Sequence, residues 1–320
     1  MRRHAGGRDV TVRYRRGVAA DDRAVHRVYV EAINEIDRRL GSALADEPGD
    51  EVAIEADWTK RRTLFAHLAA TADQFWVAED AGRVLGYARS ILRDGLRELT
   101  EFFVLPGHQG GGLGGELLAR AFPAAGARQR AIIATLEPAA LSRYLRSGVG
   151  ARCLIAYIGR SLDPGRPSAP AATSSAALAD LAVEEVAADV AGLESLAAID
   201  LAVLGHRRDL DHAWLLRERR GLLYRRAGRV VGYGYVGADS GPFAVLEPAD
   251  LPAVLLDAEA RAAAAGQADF SVWLPLAEAG PAGELLARGY RIDPFLAVLL
   301  SDAPLQGLDR YVITSPPFFL

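Results

Sequence analysis

The sequence predicts an α/β protein of mixed sheets, made of two copies of one fold, and three observations predict it. First, segments recur at a fixed spacing. "FFVLP" (Phe102–Pro106) returns as "FAVLE" (Phe243–Glu247), "YLRSGV" (Tyr144–Val149) as "LLARGY" (Leu285–Tyr290), and "RCLIAYIGRS" (Arg152–Ser161) as "DPFLAVLLSD" (Asp293–Asp302), each 141 residues on. "GRVLGYAR" (Gly82–Arg89) returns as "GRVVGYGY" (Gly228–Tyr235), 146 residues on. One spacing kept over three segments marks an internal repeat, and a loop about five residues shorter in the second copy accounts for the fourth. Second, each copy mixes hairpin runs with strand–helix–strand units, which makes a mixed, mostly antiparallel sheet with helices on it, not a doubly wound parallel one. Third, 320 residues, half of them apolar, suffice for two cores.

The first copy reads in order as follows. "VTVRYR" (Val10–Arg15) alternates as a short strand, and "DDRAVHRVYVEAINEIDRRL" (Asp21–Leu40) has helical spacing with Asp21 or Asp22 as its N-cap. A second helix covers about Trp58 to Ala70. "QFWVAED" and "VLGYARSIL" flank the glycine turn "AGR" as a hairpin, and "ELTEFFVL" is a further strand. "GELLARAF" is a helix, "RAIIATL" a strand, "PAALSRYLRSG" a helix closed by Gly148, and "RCLIAYIGRS" a last strand. "SLDPGRPSAPAATSSAALAD" (Ser161–Asp180) is poor in large apolar residues and reads as a linker. The predicted domains are therefore 1–160 and 181–320, joined by 161–180.

Composition narrows the function. A net charge of −4 gives no broad basic field for nucleic acid or anionic lipid. Cys153 is the single cysteine, so an intrachain disulfide and a thiolate metal site are excluded, and the six histidines are scattered. No run approaches the roughly 20 apolar residues of a membrane span, and the basic start lacks the apolar stretch of a signal peptide. The expectation is a cytoplasmic protein, monomer or homodimer, without a metal, a nucleic-acid partner or a membrane partner.

The stretch "HQGGGLGGELL" (His108–Leu118) holds five glycines in six positions and opens a helix. A helix start offers unpaired N–H groups and the positive end of its dipole. Glycines there permit positive φ and leave a concave ring of donors for an anion, phosphate being the natural one. A Walker loop is excluded because no lysine follows. A dinucleotide loop fits poorly, because the hairpins upstream are wrong for its parallel sheet.

Gln109, Gly112 and Gly114 form Q-x-x-G-x-G between a strand and a helix. This resembles the acyl-CoA diphosphate motif of the GNAT superfamily of N-acyltransferases. "EPAALSRYLRSGV" resembles that family's N-x-x-A-x-x-x-Y-x-x-x-G-F segment at Ala140, Tyr144 and Gly148, with Glu137 for the usual Asn and Val149 for the usual Phe. The resemblance covers about residues 10–160 well and 180–302 in outline. It implies two GNAT-like domains, each a twisted, mostly antiparallel sheet with splayed central strands. It further implies acetyl-CoA or another acyl-CoA as co-substrate, held by the backbone of Phe103 and Val104 and by Gln109, Gly110, Gly111, Gly112, Leu113, Gly114 and Gly115. An acceptor amine would attack the thioester directly, Val104 N–H would hold the oxyanion, Tyr144 would be the general acid and Glu101 the general base, with Glu98 or a water as rival. Glu31, Asn34, Trp58 and Arg89 are the candidate acceptor-binding residues, with Asp37, Arg38, Phe65 and Tyr87 beside them; His108 reads as an exposed loop residue and Cys153 as buried and inert.

The second copy lacks the motif. The 141-residue spacing puts Asp250 at Gln109, Ala253 at Gly112, Leu255 at Gly114 and Leu285 at Tyr144, so no acyl-CoA is expected there. The alternatives to a small-molecule amine acyltransferase are a non-catalytic acyl-CoA sensor or scaffold, and an enzyme of altered chemistry on the same fold, such as thioester cleavage or malonyl-type decarboxylation. The aromatic, proline-bearing end "DRYVITSPPFFL" reads as a cover for an apolar groove, on this chain or on a neighbour.

Overall fold

A computed structural model describes residues 11–40, 49–163, 178, 180–277, 280–317 and 319–320. Most of the expected linker, 164–177 and 179, lies outside the described residues. The chain folds as two compact units, Met1–Leu92 with Arg97–Gly126, and Arg93–Leu96 with Ala127–Leu320.

In the first unit, strands β1 (Arg13–Arg16), β2 (Ala72–Asp80), β3 (Arg83–Arg93) and β4 (Leu96–Val104) lie side by side in that order. β1 with β2 and β2 with β3 are antiparallel. Helix α1 (Asp22–Leu40) follows a 3₁₀ turn in which the Asp21 carboxylate accepts from the Val18 N–H at 2.9 Å. Helix α2 (Glu51–Thr71) begins seven residues earlier than the apolar pattern suggests, because Asp50 caps it, accepting from the N–H groups of Val52 and Ala53. Helix α3 (Leu113–Ala121) follows the glycine stretch. Val25, Phe65, Leu68, Val77, Tyr87 and Leu117 are fully buried in this unit's core.

The second unit holds β5 (Gln129–Thr135), α4 (Pro138–Arg146), β6 (Gly150–Ser161), β7 (Leu181–Glu185), α5 (Val190–Leu204), α6 (Asp209–Glu218), β8 (Arg220–Arg226), β9 (Arg229–Val236), β10 (Phe243–Val245), α7 (Leu251–Ala264), β11 (Asp269–Pro275), α8 (Gly280–Ala287), β12 (Arg291–Ser301) and β13 (Tyr311–Val312). Two sheet runs form, β5-β12-β6-β11 and β13-β10-β9-β8-β7.

The two copies repeat down to single hydrogen bonds. Leu105 N–H donates to Leu85 O at 2.9 Å, and Leu246 N–H to Val231 O at 2.8 Å. These pairs carry both spacings, 141 and 146. The hairpin turns match too: Ala81 and Gly82 have φ of 46° and 81°, Ala227 and Gly228 46° and 77°. The helix-closing glycines Gly148 and Gly289 have φ of 92° and 86°.

Between the copies, the last strands are exchanged. β12, from the second copy, lies antiparallel between β5 and β6, while β6, from the first, lies against β11. Ile132, Ile155, Ile158, Leu299 and Leu300 are buried along this seam, each contributing roughly 1.5–3 kcal/mol by removal from water. Arg130 and Arg152 close its edge on Asp302 and Ser301 at 2.9 and 2.8 Å. This exchange is why residues 127–161 group with the second copy although the repeat assigns them to the first.

Candidate active site

The glycine loop has the backbone its composition predicts. Gly110 and Gly112 adopt φ of 90° and 88°, a region that L side chains avoid, and Gly112 caps α3. A Cβ built on Gly110, Gly111, Gly112 or Gly115 would meet no heavy atom within 4 Å. These exposed glycines leave the loop's backbone open and serve no packing contact of the protein's own. His108 N–H bonds Leu105 O and Gly115 N–H bonds Gly112 O, while the amides from Gln109 to Gly114 donate to no backbone carbonyl among the described residues. Gln109 donates its side-chain amide to Val104 O at 3.3 Å, tying the loop to the end of β4. Leu113 is buried, its side chain lying in the space beside Gly86. These residues fit an anionic diphosphate of the kind the Q-x-x-G-x-G motif implies.

Behind the loop, β3 and β4 carry a buried charged cluster. Glu101 accepts from Tyr87 OH at 2.8 Å, and its other oxygen lies 3.2 Å from the Arg89 guanidinium. Arg89 also donates to Phe65 O and to Asp22, each at 3.0 Å, and its guanidinium stacks 4.1 Å from the Phe75 ring centroid. Burial pushes the Glu101 carboxyl up, against the pull of Arg89 and Tyr87. Burial likewise raises Asp22 to about 6, with Arg89 opposing it and the Glu101 charge adding to it. Glu101 is thus a carboxylate of raised proton affinity whose side chain is fully buried between Tyr87 and Arg89. Glu98 is also buried and has interactions of its own.

The acceptor candidates divide. Arg89 is fully buried and engaged on three sides, so any effect on an acceptor passes through Asp22 and Glu101. Asn34 and Trp58 are half-buried, and Glu31 pairs with Arg27 on α1 at 3.3 Å. Tyr87 and Phe65 are core residues; Asp37 is buried and Arg38 exposed, paired with Glu35. The sequence reading missed His26 and Asp57. His26 is completely buried, packs edge-on to Trp58 and Phe65 at 5.2 Å, and shares a 2.8 Å hydrogen bond with Asp57. The available signal was spacing: His26 lies one helical turn after Asp22.

In the second unit, Tyr144 lies on α4, buried, and burial pushes its hydroxyl well above the ordinary tyrosine range. Cys153 is half-buried on β6 opposite Leu299, and burial raises its thiol away from the reactive thiolate. The second copy's counterpart of the glycine loop is filled. Ala253 and Leu255 are buried, Pro248 and Pro252 supply no N–H, and Asp250 pairs with Arg226 at 2.7 Å; at the place of Tyr144, Leu285 is buried and offers no hydroxyl. Among the described residues, no group of three or more His, Cys, Asp or Glu is placed to hold a metal, and no helix is long and apolar enough to cross a membrane.

Comparison with known proteins agrees with this geometry. Residues 71–149, from β2 through the glycine loop to the end of α4, match the family model described as Acetyltransferase (GNAT) domain. No curated protein matches the chain. Among solved structures, one from Pyrococcus horikoshii, provisionally named an acetyltransferase, is 14% identical with a TM-score of 0.65, over 97% of this chain and 96% of that one. A GCN5-related N-acetyltransferase from Sphaerobacter thermophilus is 17% identical with a TM-score of 0.58, over 93% and 96%. A tandem GNAT protein from the clavulanic acid biosynthesis pathway is 14% identical with a TM-score of 0.56, over 92% and 99%. At these identities the likeness is one of fold.

Proposed function

We propose that this chain, a GNAT-fold acyltransferase built in tandem, transfers an acyl group, acetyl by default, from acyl-CoA to a small-molecule amine, and that its first copy alone holds the cofactor. The observation that carries the reading is the open glycine loop, with positive φ at Gly110 and Gly112 and no packing role for the missing side chains. Residues Gln109 to Gly115 hold the diphosphate, with the N–H groups from Gln109 to Gly114 as donors, and the backbone of Phe103 and Val104 holds the pantetheine arm. Glu101 takes the proton from the attacking amine, Val104 N–H steadies the oxyanion, and Tyr144 gives a proton to the departing thiolate. The acids near α1 and α2, Glu31 and Asp57 among them, favour a cationic acceptor. The domains proposed remain the two copies, 1–160 and 181–320.

CoA-thiol release against a panel of amines tests the reading. Wild type is expected to release thiol with at least one amine, and Tyr144→Phe to lower kcat by about 10²-fold at unchanged fold. Acetyl-CoA that binds without thiol release from any amine would favour a sensor; turnover unchanged in Tyr144→Phe removes that residue from the chemistry.

A second prediction concerns the loop itself. Gly112→Val forces a β-branched residue to φ near 88°, at about 1–2 kcal/mol, and puts a side chain into the open space. KM for acetyl-CoA should rise at least about tenfold, which corresponds to ~1.4 kcal/mol of lost binding. KM for the amine should change little. Equal affinity for acetyl-CoA, measured by calorimetry, would remove the loop from cofactor binding.

A further inference from the structure

Residues 310–313 of the second unit add the short strand β13 and a bridge at Ile313 to its sheets, at a place that has a counterpart in the first copy. This comparison rests on the reading that Phe103 and Val104 face the pantetheine arm. Their counterparts, 141 residues on, are Ala244 and Val245 of β10, and the counterpart of β5 is β11. Val245 N–H, which corresponds to the oxyanion donor Val104, donates to Arg310 O at 3.1 Å. Ala244 pairs with Tyr311 and Phe243 with Val312. On the other side, Ile313 N–H donates to Trp273 O of β11 at 3.0 Å. Residues 310–313 thus make main-chain bonds to both strands of the pair between which the first copy is read to take its cofactor.

The described residues of the segment are held at several points. Tyr311, Val312 and Ile313 are fully buried, and Phe319 and Leu320 nearly so. Arg208 donates to Tyr311 OH at 2.7 Å and to Leu320 O. Arg219 donates to both Gly241 O and Ser315 O. Gly241 has φ of 90°, and a Cβ there would lie 2.8 Å from Ile313 O, so a glycine is needed where the segment passes. The Trp214 ring meets Phe319 edge-on at 6.1 Å.

We infer that the second copy has turned its cofactor cleft into a peptide-strand site, occupied by the chain's own residues 310–313 in the place of a pantetheine arm. Recognition is strand addition: main-chain hydrogen bonds on both sides, with side-chain pockets for Tyr311 and Phe319. The filled loop counterpart and the inserted strand close this cleft to acyl-CoA by two independent means, which makes the first copy the single cofactor site.

The test uses the full chain, with a recognition sequence for a site-specific protease inserted between Pro304 and Leu305 and cut after folding. The fragment 305–320 is expected to stay with the body through gel filtration, and to exchange slowly with a labelled synthetic peptide of the same residues. A peptide carrying Ile313→Pro loses the bond to Trp273 O and should be taken up at least about tenfold less. Saturating acetyl-CoA should leave the fragment in place. The body carries the same insertion and the same cut in every arm and the substitution is confined to the peptide, so a difference in uptake between the peptides is not a difference in the body. Immediate loss of the fragment with unchanged circular dichroism, equal uptake of both peptides, or release of the fragment by acetyl-CoA would overturn the inference. None of these readouts depends on cofactor binding to the first copy, which the Gly112→Val titration tests separately.

Discussion

Glu101→Gln is expected to lower kcat/KM for acyl transfer by about 10²–10⁴-fold, the range for loss of a general base. The substitution keeps the shape of the side chain and its acceptor for Tyr87 OH, and Arg89 keeps Asp22 as a counter-ion at 3.0 Å. The fold should therefore hold, and KM for acetyl-CoA should stay within about threefold, since loss of a group that acts only in the transition state lowers kcat and kcat/KM together. The pH profile separates a base from a structural carboxylate. Burial raises the Glu101 carboxyl, so the wild-type rate should climb with pH through a limb lying above the ordinary glutamate value of about 4.3. Above that limb Glu101 is ionised and can accept a proton; below it the rate falls. In Glu101→Gln that limb disappears. Amines that are already neutral at the working pH need no base and should lose least. An unchanged limb, or equal losses for neutral and protonated amines, would assign Glu101 to packing and pass the role to Glu98 or water.

Arg208→Met is expected to have the largest effect on stability, about 3–5 kcal/mol, the cost of leaving one member of a buried ion pair without its partner. Arg208 and Asp200 are both fully buried and meet through two nitrogens at 2.7 and 3.0 Å. Tyr233 OH and His212 complete the carboxylate's hydrogen bonds at 2.6 and 2.8 Å, and Tyr235 OH holds the far side of the His212 ring at 2.8 Å. Burial alone would raise the Asp200 carboxyl; the Arg208 and His212 charges override it and hold it well below the ordinary carboxylate range. The sign follows. A depressed folded-state pKa contributes stability that is present above the unfolded value, about 3.9, and is lost as pH falls below it. In Arg208→Met that contribution goes, so the thermal transition of the second unit should drop by roughly 10 °C, and its acid unfolding should move to higher pH. Asp200→Asn added to Arg208→Met should recover part of the loss, because the unpaired charge is then gone. A transition within about 2 °C of wild type would show that the pair does not hold this unit together.

Both variants probe groups whose sequence neighbourhoods hinted at little. Glu101 stood out because it lies on the strand leading into the loop, but its link to Arg89 and Asp22 joins residues up to 79 positions apart. His26 and Asp57 pair across two helices, and neither carries a local mark beyond helical spacing. Arg208, Asp200, Tyr233 and Tyr311 converge from one helix, the connection that follows it, and two strands. Tyr233 falls at the repeat position of Tyr87, yet its hydroxyl serves an aspartate on a helix where Tyr87 serves a glutamate on a strand. A repeat in sequence thus preserved the position and not the partner.

What the sequence determined by itself was local or periodic. Glycine spacing dictated the backbone of the loop from Gly110 to Gly115, because only glycine enters positive φ freely. The 141- and 146-residue spacings dictated two copies with matched turns and matched backbone bonds, and the apolar residues Ala253 and Leu255 dictated that the second loop is filled. Only the tertiary structure decided which strand lies beside which: that β12 enters between β5 and β6, and that residues 310–313 lie between β10 and β11. The reason is that a strand's alternation of side chains specifies which face is buried, while its edges offer the same N–H and C=O groups to every neighbour. Choice of neighbour is settled by chain path and by burial far away in sequence, and no single segment carries it.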